Sequence, residues 1–347
     1  MHALRSIAVA TVISTAIVAT VPPSLANCLL SAEVGSGRSE VATIAPNTQS
    51  YPSKPVRVIT GSPSTAVDIV ARQLGQRLGE CWRRPVVIDN RGGAGLTIGT
   101  ALAAKAAPDG YTLLMTERTA IAVAPNLHKE LSYVPMKDLA PITLVVVTSF
   151  LLTAHPSLPV SNLREFIDHA KRYPGAVNMA IAGPGTGNHI ATELLKQMGG
   201  IKLVNVQYKG GGAAALAVVS GEAQAGFVSV PIALPHVRAG KLKVYANSGK
   251  SRFAGAPEIP TVAESGLPGY DAENWSGMFA PAGTPEPLID KINRDVVAVM
   301  QAPALRTNLV AQGSVPATST PTEFAAFIKS EITRMKKLVE ATGMRTD

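Results

Sequence analysis

From Ser50 onward, short β-branched runs alternate with segments whose apolar residues recur every three or four positions. "PVRVIT" (55–60) reads as a strand. The next segment, "GSPSTAVDIVARQLGQRLGECW", carries Val67, Val70, Ala71, Leu74 and Leu78 at helical spacing, so it predicts an amphipathic helix. "RPVVIDN" (84–90) is a strand, a Gly-opened helix closed by Pro108 and Gly110 follows, and "YTLLMT" (111–116) is a strand again. This β-α-β-α-β order predicts parallel strands with right-handed crossovers and helices packed on the sheet. The apolar stretch 138–156 is long enough for more than one strand. The alternation then resumes, with helices at 161–172, 187–198, from 211, and at 231–239, and strands near 177–182, 203–208, 225–230 and 242–248.

The last third changes character. Thr284 is expected as an N-cap with Pro285 at the first helical position. Thr320 and Glu323 form a capping box around Pro321, and Phe324, Phe327, Ile328, Ile332, Met335 and Leu338 make the apolar stripe, with Gly343 as the stop. These helices have no strand after them in this reading, so they should pack back onto an earlier sheet. No repeat of fixed period is evident.

The 347-residue length suggests about two domains, and the balance of 46% hydrophobic with 5% aromatic residues suits α/β layers. Net charge is +8, yet Lys and Arg are scattered without a basic run, which argues for a solvated surface and against nucleic-acid binding. The six His and two Cys show no metal-ligand spacing, so no metal or other cofactor is expected.

Residues 1–26 read as a signal peptide: a positive start, an apolar run over 7–21, then "PPSLAN" with small residues for cleavage. Residues 27–50 are Ser-, Ala-, Thr- and Gly-rich and read as a disordered linker. "LANC" (25–28) resembles a lipoprotein box, but Asn27 stands where a small residue is wanted, which argues against lipid on Cys28. A disulfide between Cys28 and Cys81 would suit an exported protein; packing of Cys81 as a small hydrophobe is the favoured expectation.

Five strand-to-helix junctions are built from small or polar residues: "GSPSTA" (61–66), "NRGGAGLT" (90–97), "TERTA" (116–120), "GPGTGNH" (183–189) and "KGGGA" (209–213). Ligands of open parallel sheets bind at the carboxyl ends of strands, where such loops gather. Helix starts there offer unpaired N–H groups and partial positive charge, which suits a carboxylate or other small anion. "GPGTGNH" lacks the Lys-Ser/Thr of a phosphate loop, and "GAGLTIG" departs from dinucleotide glycine spacing. No GxSxG elbow occurs, and nothing ties His189 or Asp68 to a serine as an activating pair. His189 is expected to bond ligand or backbone, and Asp68 to sit in a first helical turn, where the dipole favours it. Arg118 is a candidate carboxylate clamp.

The phrases "YPSKPVRVI", "VVIDNRGGAG", "AAKAAPDGYTLL", "HPSLPVSNLREFI", "GPGTGNHIATELLKQMGG", "VQYKGGG", "LPHVRAGKLKV", "IPTVAESGLPGY" and "APAGTP" follow one another from Tyr51 to Pro285. Together they resemble the Bug-type solute receptors of tripartite tricarboxylate transporters, over essentially the whole chain after residue 50. The resemblance implies an α/β, two-lobed periplasmic binding protein (type II, Venus-flytrap) with two crossings between lobes, divided as 51–146 plus 271–347 and 147–270. It implies a non-enzymatic, monomeric periplasmic receptor that delivers a small carboxylate-bearing solute to integral-membrane permease subunits. The alternatives are a receptor for a two-component sensor kinase and an exported α/β enzyme.

By the same resemblance, the first-strand loop and the 183–189 loop hold one carboxylate through backbone groups and waters. The expected contacts are Ser62, Ser64, Thr65 and Asp68 from the first loop. Thr116, Arg118 and Thr119 follow the third strand, and Gly185, Thr186, Gly187, His189 and Ser229 come from the second lobe. Here "TGSPSTAVD" replaces the family's "PFPPGGxxD", and "FVSV" (227–230) lacks the Asp of "FDN". That loss, with Arg118 supplying a cation for a second carboxylate, points to a dicarboxylate or aromatic carboxylate over an amino-acid-like ligand.

Overall fold

The structure is a computed structural model that describes residues 51–63, 65–128 and 130–344. The signal-peptide, linker and Cys28 readings, and Ser64, lie outside the described residues. β1 (Val56–Thr60) leads into α1 (Ala66–Trp82) and β2 (Val86–Asn90), which pairs parallel to β1. The apolar stripe Val67, Val70, Ala71, Leu74 and Leu78 is buried, as its spacing requires. Burying each Val or Leu side chain contributes roughly 1.5–3 kcal/mol, which fixes the helix on the sheet. Thr65 caps α1 by accepting from the Asp68 N–H, and Asp68 lies in the first turn. Cys81 is buried on the same helix, but the expectation of a simple packed hydrophobe needs correction, because its sulfur is in a disulfide.

A single 3-10 turn at Ala94–Leu96 opens α2 (Thr97–Ala104), and β3 (Thr112–Glu117) returns parallel to β1. β3 runs directly into a wide, buried turn at Thr119–Val123. The long apolar region does divide into two strands, β4 (Leu139–Thr148) and β5 (Phe150–Ala154), separated only by Ser149. They belong to different sheets, so Ser149 is the first crossing.

The second sheet is built from α3 (Leu163–Arg172), β6 (Asn178–Ile181), α4 (Gly187–Gly199), β7 (Val204–Gln207), α5 (Gly211–Ser220), β8 (Ala225–Ser229), α6 (Val230–Arg238) and β9 (Lys243–Asn247). Its strand order is β7-β6-β8-β5-β9, with β6 parallel to β7 and β8 and with β5 antiparallel to β8 and β9. The chain then returns to the first sheet as β10 (Asn274–Pro281), every residue of which is buried. β10 inserts antiparallel between β3 and β4.

The C-terminal helices are α7 (Glu286–Met300), α8 (Pro303–Ala311) and α9 (Pro321–Thr342). α9 carries the expected capping box at Thr320 and Glu323 and ends at Gly343 with φ +64°. Two corrections apply. α7 starts one residue later than expected, with Pro285 at the cap, because the Thr284 hydroxyl donates back to the Pro281 carbonyl at 2.8 Å. A short edge strand, β11 (Ser314–Pro316), does follow α8 and completes the order β11-β4-β10-β3-β1-β2. Three residues ending in proline carry too little alternation to read as a strand.

Candidate functional site

The carboxyl ends of β1, β3, β6 and β8 face one cavity of about 340 Å³, walled by loops of both sheets. That volume is at the lower end of small-molecule sites, which run from roughly 300 to 1,000 Å³. From the first sheet come Ser62, Thr65, Gly95, Leu96, Glu117 and Thr119; from the second come Thr186, Gly187, Asn188, Gly210–Gly212 and Ser229. Phe150 and Phe227 supply apolar wall.

Four helices begin at this wall: α1 after Thr65, α4 after Thr186, α5 after Gly210 and α6 after Ser229. The last three have no side-chain cap on their first N–H groups. Gly210, Gly211 and Gly212 have nothing within 4 Å of where a Cβ would stand, so the backbone there faces open space. Among the described residues, no Lys, Arg or His lines the cavity. The partial positive charge on its wall is that of helix N-termini, which can attract an anion without a cationic side chain.

Backbone strain gathers at the same wall. Ala94 and Leu96 hold φ of +44° and +72°, values costly for residues with a side chain. This places Leu96 against Gly61, where an added Cβ would stand 2.7 Å from Leu96 Cδ2. The first-strand loop and the 90–97 loop are thereby locked together.

Six of the expected contacts meet at the cavity: Ser62, Thr65, Thr119, Thr186, Gly187 and Ser229. Five of the others lie behind it, and Ser64 is outside the described residues. Asp68 is buried and accepts from Arg72 Nε at 3.1 Å and Asn90 Nδ2 at 2.8 Å, tying α1 to the end of β2. Thr116 is buried with its hydroxyl 3.4 Å from that of Thr100.

The Gly185 N–H donates to His189 Nδ1 at 3.0 Å, so the histidine's own proton sits on Nε2. Nε2 lies 3.6 Å from Glu193, which also accepts from Lys196 and Asn205, each at 2.7 Å. Burial pushes the Glu193 carboxyl up, but hydrogen bonds from His189, Lys196 and Asn205 outweigh it and hold the pKa at about 2. His189 thus braces the glycine loop from behind.

Arg118 does not reach the cavity. Its side chain is 0% exposed and donates through Nη1 to the Glu273 carbonyl on the second crossing. Arg334 of α9 grips the neighbouring Asp271 carbonyl, so two arginines pin this crossing to the first sheet. The expectation of Arg118 as a cation for a second carboxylate fails here. The residue that does face the cavity is its neighbour Glu117, the last residue of β3; Arg118 already has helical dihedrals (φ −42°, ψ −40°), and its side chain turns inward to the second crossing.

Residues absent from the sequence reading also reach the wall: Asn188, Phe150, Asn274 and the Gln312–Ser314 turn. Asn188 follows the expected Thr186 and Gly187 directly, which was the available signal. Asn274 and the turn arrive by tertiary routing and left none.

A larger surface hollow of about 530 Å³ lies between α4 and α9, with Ile190, Leu194, Arg334 and Leu338 on its walls. None of the strand-to-helix junctions opens into it. Among the described residues, no group of acidic, His or Cys side chains could hold a metal ion, and no helix is long and apolar enough to cross a membrane.

Two sheets joined by two crossings, with a cavity between their loops, define a periplasmic-binding-protein fold of the solute-receptor class. The profile of the tripartite tricarboxylate transporter family receptors (TctC) matches residues 70–344, and the chain belongs to that family. It is 34% identical to protein BugT of Bordetella pertussis over 297 residues, which is 85% of this chain and 91% of BugT.

Among solved structures, R. palustris Rpa4515 with adipate superposes with a TM-score of 0.79 at 27% identity, covering 85% of this chain and 99% of that one. MatC (Rpa3494) from Rhodopseudomonas palustris with bound malate gives 0.74 at 31% identity, covering 83% of this chain and all of that one (100%). The family is one of transport receptors, so the protein is a binding protein and not an enzyme.

Proposed function

We propose that the protein is an exported periplasmic receptor that captures a small carboxylate-bearing solute in the cavity between its sheets. It then delivers the solute to the permease subunits of a tripartite transporter. The observation that carries this reading is that four helix starts, and among the described residues no cationic side chain, surround the cavity. A single carboxylate would be held by N–H groups at the starts of α1 and α4, with Thr65 and Thr186 beside it. The adipate and malate bound by two relatives support the carboxylate class.

The lobes would divide where the chain passes between sheets, near Ser149 and again between β9 and β10. The receptor would act as a monomer, without nucleic acid or cofactor. Ligand contacts from both sheets would favour the closed arrangement, since a ligand shifts an equilibrium only by its differential affinity for the two states. Titration calorimetry with short mono- and dicarboxylates tests the class. Binding of carboxylates but not of the matching amides or alcohols is expected, and equal binding of the uncharged analogues would refute it.

A further inference from the structure

We propose that Glu117 selects a zwitterionic ligand, one that carries a positively charged nitrogen together with its carboxylate. This rests on the carboxylate reading of the same cavity. Glu117 ends β3 on the cavity wall and is the one ionisable residue among the described residues that line it. Its Oε2 accepts from Asn274 Nδ2 at 3.2 Å, and no other hydrogen bond or ion pair to its carboxyl is observed.

The adjacent guanidinium, on Arg118, donates through Nη1 to the Glu273 carbonyl and makes no hydrogen bond to Glu117, so it acts on that carboxyl only through its charge. Burial is the largest influence on the Glu117 carboxyl and pushes it up, against the lowering by the Asn274 hydrogen bond and the Arg118 charge, so a cation at this wall would favour its charged form. Asn274 adds a second signal. The residue is 5% exposed, and its Oδ1 has no hydrogen-bond partner. Two acceptors therefore stand side by side at this wall, while the helix starts supply the donors elsewhere.

Such a site divides ligands by charge. A carboxylate at the helix starts leaves the far end of the molecule facing Glu117. A cationic nitrogen there pairs with the carboxylate side chain and offsets its desolvation. A second carboxylate meets a like charge, with no cation among the described residues of the cavity lining to relieve it. The Asp missing from "FVSV" has a counterpart in function here, supplied from the opposite sheet.

Calorimetric titration of the wild-type protein and Glu117→Gln tests this with two sets of acids that differ only at the far end. They are 4-aminobutyrate, butyrate and succinate, and β-alanine, propionate and malonate. In at least one set the amino acid should bind the wild type about tenfold tighter than the unsubstituted acid, with the diacid weakest. Glu117→Gln should remove that preference and leave the unsubstituted acid within about threefold of wild type. A diacid that binds the wild type as tightly as the amino acid overturns the role of Glu117 and leaves the carboxylate reading standing. So does an amino-acid preference that survives in Glu117→Gln. Failure of all six acids to bind either protein overturns both.

Discussion

Thr119, just past β3, donates its hydroxyl to the Gly185 carbonyl of the second sheet's glycine loop at 3.2 Å, across the rim of the cavity. The approach is close because Gly185 has no side chain. A Cβ there would stand 2.6 Å from Leu127 Cδ1 and 3.1 Å from Val123 Cγ1, and φ is +71°. The contact ties the loop after β3 directly to the glycine loop of the second sheet. Gly185→Ala should hold them apart, lowering ligand affinity by more than about tenfold and enlarging the ligand-bound radius of gyration in X-ray scattering. Thr119→Val should be milder, at about 1 kcal/mol of lost hydrogen bond, or roughly fivefold in affinity.

Glu193 makes stability fall in acid. Its folded pKa of about 2 is below the ordinary value of 4.5, so it contributes stability above the unfolded value. That contribution, on the order of 2 kcal/mol, is lost as pH falls from about 4.5 toward 2. Denaturant titrations between those limits should show the decline, and Glu193→Gln should flatten it. The same variant frees His189 from its carboxylate partner, so it should also weaken ligand binding at neutral pH through the Gly185 loop.

Arg118 separates anchoring from binding. Arg118→Ala strips a buried cation from a crossing strand and from the nearby Glu331 and Asp271 charges, at a cost of about 3–5 kcal/mol. Arg118→Met keeps the volume and should cost less. Where Arg118→Met folds, its ligand affinity should stay within about threefold of wild type, since the side chain does not line the cavity. A loss of affinity without a loss of stability would show that Arg118 touches the ligand.

These residues also mark how far the sequence could be read. Helical spacing located α1, and the Thr320–Glu323 capping box located the start of α9, because those signals are local and set by backbone geometry. The split of 138–156 was legible as more than one strand, but its assignment to two sheets depends on pairing that no local pattern records. β10 enters by long-range routing between β3 and β4, and it brings Asn274 to the cavity with it. At the site, "GPGTGNH" was readable as a helix start presenting N–H groups. Which of Glu117 and Arg118 faces the cavity was not readable, since β3 ends and the chain turns helical between them, and no local pattern records that point.

In the proposed function an anion is held by backbone N–H groups in place of a cationic side chain. A crystal structure of the protein with a bound carboxylate tests this most directly. It should place the carboxylate oxygens about 2.7–3.2 Å from N–H groups at the starts of α1 and α4. A carboxylate gripped by an Arg or Lys side chain, or seated in the hollow between α4 and α9, would contradict it.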